Sequence, residues 1–307
     1  MLAYIRKRVI ASIIVVFGVS SLVFFMLHLL PGDAVTIMLS EFGASAQEEQ
    51  MLREQLGLND PLIVQYGRFV FNALQGDFGR SLFSRRPVIR QVLEQLPKTI
   101  ELALASTLVA VVVGTFFGVT AAIKRNSWWD GLSMILSLLA LSMPNFWLGL
   151  IFIFVFSLNL GWFPVQGSDT LRHVVLPALA LGLSSAGLLA RLIRSSMLEV
   201  LSLDYITTAR SKGLHNRIVV WRHALKNALI PVITVIGINF GYLLGGSVIM
   251  EIVFARQGIG SLIIRAIFSH DFYLVQAGII FTAIFFVSVN LLVDLSYGLL
   301  DPRIRYD

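Results

Sequence analysis

The sequence predicts an all-α membrane protein with six transmembrane helices and a small external region between the first two of them. Hydrophobic residues make up 56% of the 307-residue chain and charged residues only 14%, and the mean hydropathy is +0.80. These values are far from the balance of a soluble domain. The apolar residues are also gathered into six long runs. The chain has no cysteine, which excludes disulfides and Cys-ligated metals.

The first apolar run covers residues 9–30 and follows three basic residues, Arg6, Lys7 and Arg8. At about 1.5 Å per residue it just spans a hydrocarbon core of roughly 30 Å. A secretory signal peptide is the alternative interpretation. The run is longer than a signal-peptide core, and Pro31-Gly32-Asp33 follows it in place of a small-residue cleavage site. We therefore expect residues 1–30 to hold a retained first transmembrane helix.

Residues 31–97 are mixed in composition and predict a small extracytoplasmic region. Helical periodicity occurs over 46–57 and 61–75, but continuous apolar surface is too scarce for a large independent domain. Four arginines cluster in this region, and we expect them to be solvated or paired, with an acidic partner or a lipid headgroup as the alternative: Arg80, Arg85, Arg86 and Arg90.

Five further apolar runs predict a membrane core over residues 98–300, and a short tail follows at 301–307. The runs cover residues 99–123, 131–159, 174–194, 229–250 and 275–298. With the N-terminus inside, the basic loop at 124–125, the polar stretch 191–228 and both termini are predicted to be cytoplasmic, as the positive-inside rule requires. The net charge of +6 therefore indicates membrane topology and not nucleic-acid binding.

Polar and small residues mark three places within these runs. Ser142-Met143-Pro144-Asn145 interrupts the third run, where a proline should kink the helix and Asn145 could satisfy the freed carbonyl or face a pore. Asp294 and Asn290 share one face of the last run, either lining a pathway or pairing with a neighbouring helix. Residues 261–268 predict a short amphipathic helix at the outer surface. The fifth run carries a face of small residues that could pack within the chain or across a two-subunit interface: Gly237, Gly241, Gly245 and Gly246.

The stretch 204–231 is a polar, basic island between two apolar runs. Asp204 is predicted to cap one short helix, Gly213 to end it in the C′ position, and Asn216 to cap a second. Ile206, Ala209 and Gly213 would share a face able to sit close against another protein. The alternative is a solvated loop that only satisfies the charge rule.

Several motifs resemble the permease subunits of binding-protein-dependent ABC importers, specifically the peptide, glutathione and nickel (dipeptide permease B-like) group. They run from end to end of the chain: LHLLPGDA, LGLNDPLIVQYGRF, GDFGRS, SMPNFWLGL, DYITTARSKGL, RHALKNALIPVIT, LLGGSVIMEIVFARQGIG and DPRIR. In that family a Glu-Ala-Ala, a Gly four residues later and a distal Ile-x-Leu-Pro form a coupling helix seated in a cleft of the ATPase. Here Thr207 and Thr208 replace the Glu and the first Ala, and Lys226 replaces the Pro.

The resemblance implies the type I ABC importer permease fold in a bacterial cytoplasmic (inner) membrane. It also implies a second homologous permease as heterodimer partner, two ATP-binding subunits, an extracytoplasmic substrate-binding protein, and contact with membrane lipid. The loop 204–226 would couple this chain to the ATPases. The residues it assigns to coupling are Asp204, Tyr205, Thr207, Thr208, Ala209, Gly213, His223 and Leu225. As candidates for lining the translocation path we select Asn145, Asn239 and Ser247.

No feature of the sequence indicates catalysis in this chain. The phosphate-binding Gly-x-x-x-x-Gly-Lys-[Ser/Thr] loop is absent, so ATP hydrolysis would belong to separate chains. The five histidines are scattered without metal-site spacing, and no histidine lies at the membrane depth of Ser184 or Ser185. We expect no enzyme, no cofactor and no metal site. A secondary transporter is the less favoured alternative, because neither mid-membrane carboxylates nor inverted repeats are evident.

The substrate is the point at which the sequence leaves alternatives open. Di- or oligopeptides are the first choice, because no cluster of His, Met or carboxylate side chains offers a metal a site. Glutathione and nickel permeases belong to the same group and remain the alternatives.

Overall fold

The computed structural model describes residues 2–29 and 57–300, together with a few positions between 47 and 54. The regular secondary structure of the described part is helical apart from one isolated antiparallel bridge between Arg80 and Pro87. The surroundings of Gly246, the side chain of Asp294, most of the predicted 46–57 helix and the 301–307 tail lie outside what the structure describes.

The helices are numbered here in chain order over the described residues. They are α1 (Leu2–Leu29), α2 (Leu62–Leu74), α3 (Val88–Ile123), α4 (Trp128–Ser142), α5 (Asn145–Phe152, continued as a π-helix over Ile153–Asn159), α6 (Arg172–Leu201), α7 (Asp204–Ser211), α8 (Asn216–Ile218, continued as a π-helix over Val219–Ala224), α9 (Leu225–Gly246), α10 (Val248–Val253), α11 (Ile259–Phe268) and α12 (Phe272–Leu300).

Five helical segments of the described chain are long and apolar enough to cross a membrane, and a bent pair makes a sixth candidate. The pair is α4 and α5, whose axes differ by 101°. The sequence predicted only a kinked third span, and that prediction is too mild. Pro144 has no N–H to donate, so α4 closes with the Met143 N–H on the Leu139 carbonyl, and α5 restarts with the Trp147 N–H on the Pro144 carbonyl.

The predicted second short helix at the membrane surface is wrong. Residues Asn216–Gly245 form one continuous apolar helical segment, in which α8 and a π-helical turn lead directly into α9. The N-cap is His215, whose Nδ1 accepts the Arg217 N–H at 3.3 Å, and not Asn216 as expected. The fifth span is therefore helically continuous with the polar island.

Helices α3 and α6 approach more closely than ordinary side chains allow. A Cβ placed on Gly118 would lie 2.7 Å from the Ala190 carbonyl oxygen, and one on Gly182 would lie 2.7 Å from the Ser106 carbonyl oxygen. Real Cβ atoms do not approach backbone atoms to this distance. Glycine is therefore required where α3 and α6 are in contact, and we call this contact the α3–α6 seam.

The glycine face predicted on α9 packs within the chain. A Cβ on Gly237 would clash with the Val293 side chain of α12, and one on Gly241 would lie 3.3 Å from the Phe286 ring. A Cβ on Gly245 would meet nothing within 4 Å. The interpretation as packing inside the subunit therefore applies to Gly237 and Gly241.

The described part of the segment between α1 and α3 packs against α1 through α2. Tyr66 of α2 stacks on Phe25 and shares a 2.5 Å hydrogen bond with Ser21. Two of the clustered arginines pair with one carboxylate: Arg86 and Arg90 lie 2.6 and 3.4 Å from Glu94. These pairs are exposed, so they add little stability.

Two apolar clusters lie toward opposite ends of α3. We call the first of them the inner cluster. It is formed by the end of α3, the second half of α6, the polar island and the start of α9. Its buried members are Ala110, Val119, Ala122, Leu189, Ile193, Met197, Ile206, Ala209, Val219, Val220, Ala224, Leu225, Ala228 and Val232. At the other end, Val88 and Val92 pack with α11 and the start of α12. Helix α3 thus connects two separate apolar clusters.

Candidate coupling site

Helix α7 is a short surface helix with a well-defined end. The Gly213 N–H donates to the Arg210 carbonyl at 2.9 Å and the Leu214 N–H to the Ala209 carbonyl at 3.4 Å, the Schellman pattern. Gly213 has a φ of +78°, a conformation that glycine adopts without strain, so its predicted C′ position is found. Asp204 is not the N-cap: Leu203 holds that position and Asp204 begins the first turn, where a carboxylate favours the helix dipole.

The inward face of α7 belongs to the chain itself. Ile206 is fully buried and Ala209 is 8% exposed, both within the inner cluster. The predicted Ile206–Ala209 docking face is therefore wrong, because these side chains point into the protein. At 100° per residue the opposite face consists of four exposed residues: Asp204, Thr207, Thr208 and Ser211.

Tyr205 links α7 to the start of the fifth span. Its hydroxyl accepts a hydrogen bond from the Asn227 side-chain amide at 2.7 Å and donates to the His223 carbonyl at 3.4 Å. His223 is half-buried on the π-helical turn, and Leu225 is buried in the inner cluster. The structure thus brings Tyr205 and His223 together, as the sequence suggested, but through a backbone carbonyl and through Asn227, which the sequence analysis missed.

An ion pair between buried Asp130 and half-buried Arg194 lies beside this site. Arg194 of α6 donates through Nε and Nη2 to the two carboxylate oxygens of Asp130 at 2.6 and 2.7 Å. Asp130 is 5% exposed and also accepts the Asn126 N–H at 3.0 Å. The pair fastens the α3–α4 loop to α6 close to the inner cluster. A carboxylate in the first turn of a predicted apolar span was the signal that could have found it.

The three candidates for the translocation path lie in different environments. Asn145 is half-buried at the first position of α5. Asn239 of α9 accepts a hydrogen bond from the Ser185 hydroxyl at 3.2 Å, and its own amide nitrogen is buried without a partner among the described residues. Ser247 is 1% exposed and donates to Glu251 at 3.2 Å, so its assignment to a pathway is wrong. Asp294 has no described side chain.

Glu251 occupies a polar pocket at the end of α3 remote from α7. Its carboxylate accepts the Thr99 hydroxyl and the Ser261 N–H, both at 2.8 Å, and the Ser247 hydroxyl, while only 1% of the residue is exposed. A Cβ on Gly258 would lie 2.2 Å from the Glu251 carboxylate carbon. The neighbouring Arg256 is equally buried and donates to Glu101 at 2.5 Å. Glu251 and Arg256 together tie the α10–α11 segment to α3.

We expect Glu251 to make the stability of the protein depend on pH. Burial raises the pKa of this carboxyl above its ordinary 4.5, while the Ser261 N–H and the Thr99 hydroxyl act to lower it. The folded chain therefore holds the proton more tightly than the unfolded chain. The resulting stabilisation is complete below pH 4.5 and is lost as the pH rises through the raised pKa.

The measurement is the midpoint of thermal unfolding in detergent from pH 4 to 8. Glu251→Gln should reduce the fall of the unfolding midpoint with rising pH. The part of the fall that persists should come from Asp271, because burial also raises the pKa of that carboxyl. Glu94→Gln, at an exposed carboxyl, is the matched control and should leave the decline unchanged. An identical pH profile for the wild type and Glu251→Gln would contradict the assignment.

Comparison with known proteins places this geometry in a family. Residues 114–306 match the family described as the inner membrane component of binding-protein-dependent transport systems, and residues 1–103 match the N-terminal part of such membrane components. The chain belongs to this family. Over 306 residues the permease is 43% identical to the glutathione transport system permease protein GsiC of Escherichia coli (strain K12) and 42% identical to that of Salmonella paratyphi A, with 100% of both chains covered in each case.

Solved structures agree on the fold. The MetNI methionine ABC transporter, solved in inward facing conformations, has a chain similar to 69% of the permease, with a TM-score of 0.59, 17% identity and 96% of that chain covered. An amino acid ABC transporter gives a TM-score of 0.50 over 68% of the permease and 94% of its own chain, also at 17% identity. The predicted all-α, type I ABC importer permease fold is confirmed.

Family membership also establishes the general role. The permease is a multi-pass inner-membrane component of an ABC importer of the peptide/glutathione group, and its family is not itself catalytic. Such a component works with ATP-binding subunits and a binding protein. Among the described residues, no group of three or more His, Asp or Glu side chains could hold a metal ion.

Proposed function

We propose that the permease forms half of the translocation pathway of an ATP-driven importer of short peptides, with glutathione as the first candidate. A second homologous permease would form the other half, two ATP-binding subunits would bind α7 at the cytoplasmic surface, and an extracytoplasmic binding protein would deliver the substrate. Both termini would then be cytoplasmic, which places the Glu251 pocket at the outer end.

The two-faced character of α7 is the observation that carries the coupling proposal. Its inner face is anchored by Ile206 and Ala209, while its outer face is free for a partner. Tyr205 ties the helix to Asn227, at the root of a helical segment that continues to Gly245. A displacement of α7 by closing ATPases would therefore move the fifth span and not merely bend a loop.

The substrate proposal rests on the relatives. The chain is 43% identical to permeases named for glutathione transport, over its full length. Glutathione is itself a tripeptide, so this likeness agrees with the sequence-based expectation of a peptide substrate. It favours glutathione over nickel. Of the path candidates, Asn145 and Asn239 remain in the proposal. The Asn239 amide nitrogen, buried without a partner in the part of the chain that the structure describes, could donate to a peptide carbonyl when the helices separate.

Reconstituted uptake tests the function. The complex formed by the permease and its accompanying subunits, in liposomes with internal ATP, should accumulate labelled glutathione when the binding protein is supplied. Liposomes containing the permease alone should show no uptake. Uptake by the permease alone would indicate a secondary transporter, and preferential uptake of a dipeptide or of nickel would replace the glutathione assignment.

We expect Thr208→Trp to prevent docking of the ATP-binding subunits. Thr208 is exposed in the middle of the outer face of α7, and the chain's own core is on the other side, so an indole there blocks a partner without disturbing the fold. Co-purification of ATP-binding subunits and substrate-stimulated ATP hydrolysis should both fall at least about tenfold, as expected for a bulky group at an interface centre.

The matched control is Thr170→Trp, at an exposed threonine immediately before α6 and remote from α7. This variant should retain the ATP-binding subunits. Normal co-purification and hydrolysis in Thr208→Trp would exclude α7 as the docking element.

A further inference from the structure

A cavity of about 270 Å³ lies beside α7, away from its outer face. It is enclosed by the end of α3 and the following loop, by the end of α6, by α7 and by α8. Its lining residues are Ala122, Ile123, Arg125, Leu198, Leu201, Ser202, Arg210, Asn216 and Val220. The volume is somewhat below that of a typical drug-sized site, so it suits a small headgroup better than a large ligand.

The cavity is strongly basic. Arg125 and Arg210 both line it, and no carboxylate is among its lining residues. The carboxylate nearest in sequence to Arg125, that of Asp130, attracts Arg125 electrostatically but accepts its hydrogen bonds from Nε and Nη2 of Arg194. Neither cavity arginine has an ion-pair partner within the part of the chain that the structure describes. Two unpaired guanidinium groups around one cavity are suited to an oxyanion such as phosphate.

The surroundings indicate where such an anion would come from. Trp128 is 70% exposed and stacks on Trp129 with ring centroids 4.7 Å apart, and Lys124 lies 5.4 Å from the Trp129 ring. Exposed tryptophan next to lysine at a helix end is typical of the headgroup level of a membrane. Ile123 lines the cavity and is 43% exposed, so an apolar surface adjoins the two arginines.

We propose that this cavity binds the headgroup of an anionic phospholipid, with the phosphate held by Arg125 and Arg210. Basic pockets between membrane helices on the cytoplasmic side are suited to such lipids. The occupied site would link the α3–α4 loop to α7 through Arg125 and Arg210. This inference rests on the proposed orientation, in which α7 faces the cytoplasm.

An ATP-binding subunit is the competing occupant, but the geometry favours lipid. The face of α7 that is free for a partner consists of Asp204, Thr207, Thr208 and Ser211. Arg210 lies on the flank of that face, about 100° from Ser211. The cavity thus adjoins the docking surface without forming part of it.

Native mass spectrometry of the purified full-length permease, both with and without its ATP-binding subunits, tests the proposal. After delipidation, phosphatidylglycerol and phosphatidylcholine are titrated separately, and the wild type should bind phosphatidylglycerol in clear preference. Arg125→Gln/Arg210→Gln should weaken phosphatidylglycerol binding on the order of tenfold or more, because each basic residue near a membrane surface contributes appreciably to anionic lipid binding. Phosphatidylcholine binding should not change.

The matched control is Arg222→Gln/Lys226→Gln, which removes two exposed cations from the same island without touching the cavity. Its phosphatidylglycerol affinity should stay within about twofold of the wild type, since only distant charge is lost. Both cavity arginines are exposed, so the test variant should retain the wild-type unfolding midpoint.

Three outcomes would overturn the inference. The first is an equal loss of phosphatidylglycerol affinity in the control variant, which would indicate general attraction between the basic surface and the anionic lipid. The second is displacement of the lipid by millimolar inorganic phosphate, which would indicate a free anion as ligand. The third is displacement on binding of the ATP-binding subunits, which would indicate a protein contact. The assay requires no ATP hydrolysis or uptake, so failure of the proposed import function would leave its result readable.

Discussion

Arg194→Met should destabilise the permease by about 1–3 kcal/mol and lower its import activity. The substitution leaves Asp130 buried at 5% exposure without its bidentate partner. The Asp130 carboxylate then keeps only the Asn126 N–H and the charge of Arg125 as partners, so part of the cost of its burial is no longer offset. Because the pair fastens the α3–α4 loop to α6, we also expect the loop beside α7 to lose its fixed position.

A double-mutant cycle separates this effect from simple loss of side-chain volume. Thermal unfolding in detergent and the yield of assembled complex are measured for Arg194→Met, Asp130→Asn and the double variant. The double variant should be more stable than Arg194→Met, since the isolated charge is gone. Arg191→Met, at an exposed arginine one turn earlier on α6, should behave as the wild type. Additive effects of the two single substitutions would show that the pair does not contribute as a unit.

The membrane class and the position of the coupling helix could be predicted because both depend on residues that are close together in the sequence. Apolar runs of sufficient length predict spanning helices whatever their neighbours are. Gly213 predicts the end of α7, since its conformation depends on only a few residues around it. The likeness of whole motifs to a family added what local patterns lack, namely the role of the short basic helix.

The contacts between helices could not be predicted in the same way. Asp130 and Arg194 are 64 residues apart, and the sequence around either residue does not indicate that the other is its partner. The direction of α7 was misjudged because small residues suit a partner's surface and the chain's own core equally well. Likewise, Pro144 indicates a break, but the 101° angle is decided by how α5 packs afterwards.

Glycine patterns show the same limit most clearly. The sequence directed attention to the fifth span, where a Cβ on Gly245 would meet nothing within 4 Å. The equally simple Gly114–Gly118 spacing in α3 passed unnoticed, although it lies in a seam that no side chain can enter. Spacing alone identifies a face that permits close contact, whereas the partner helix determines whether that contact is made.

Gly118→Ala should destabilise the permease by about 1–3 kcal/mol and reduce coupling severely, in spite of adding one methyl group. The new Cβ would lie 2.7 Å from the Ala190 carbonyl oxygen and 2.8 Å from the Ile193 Cβ. Both obstacles are fixed, since one is helix backbone and the other is the first atom of a β-branched side chain. Helices α3 and α6 must therefore move apart, which opens the inner cluster that anchors α7.

Gly131→Ala provides the matched control, because this glycine is also in a transmembrane helix and its Cβ would meet nothing within 4 Å. Alanine favours helix over glycine by roughly 1 kcal/mol, so this variant should be neutral or slightly more stable. The comparison is made on unfolding midpoints in detergent and on the ratio of substrate transported to ATP hydrolysed. Helix propensity favours alanine at both positions. A loss of stability or coupling confined to Gly118→Ala therefore measures the close contact between α3 and α6. Equal behaviour of the two variants would mean that α3 and α6 can separate without consequence, and that α7 is held by contacts other than the inner cluster.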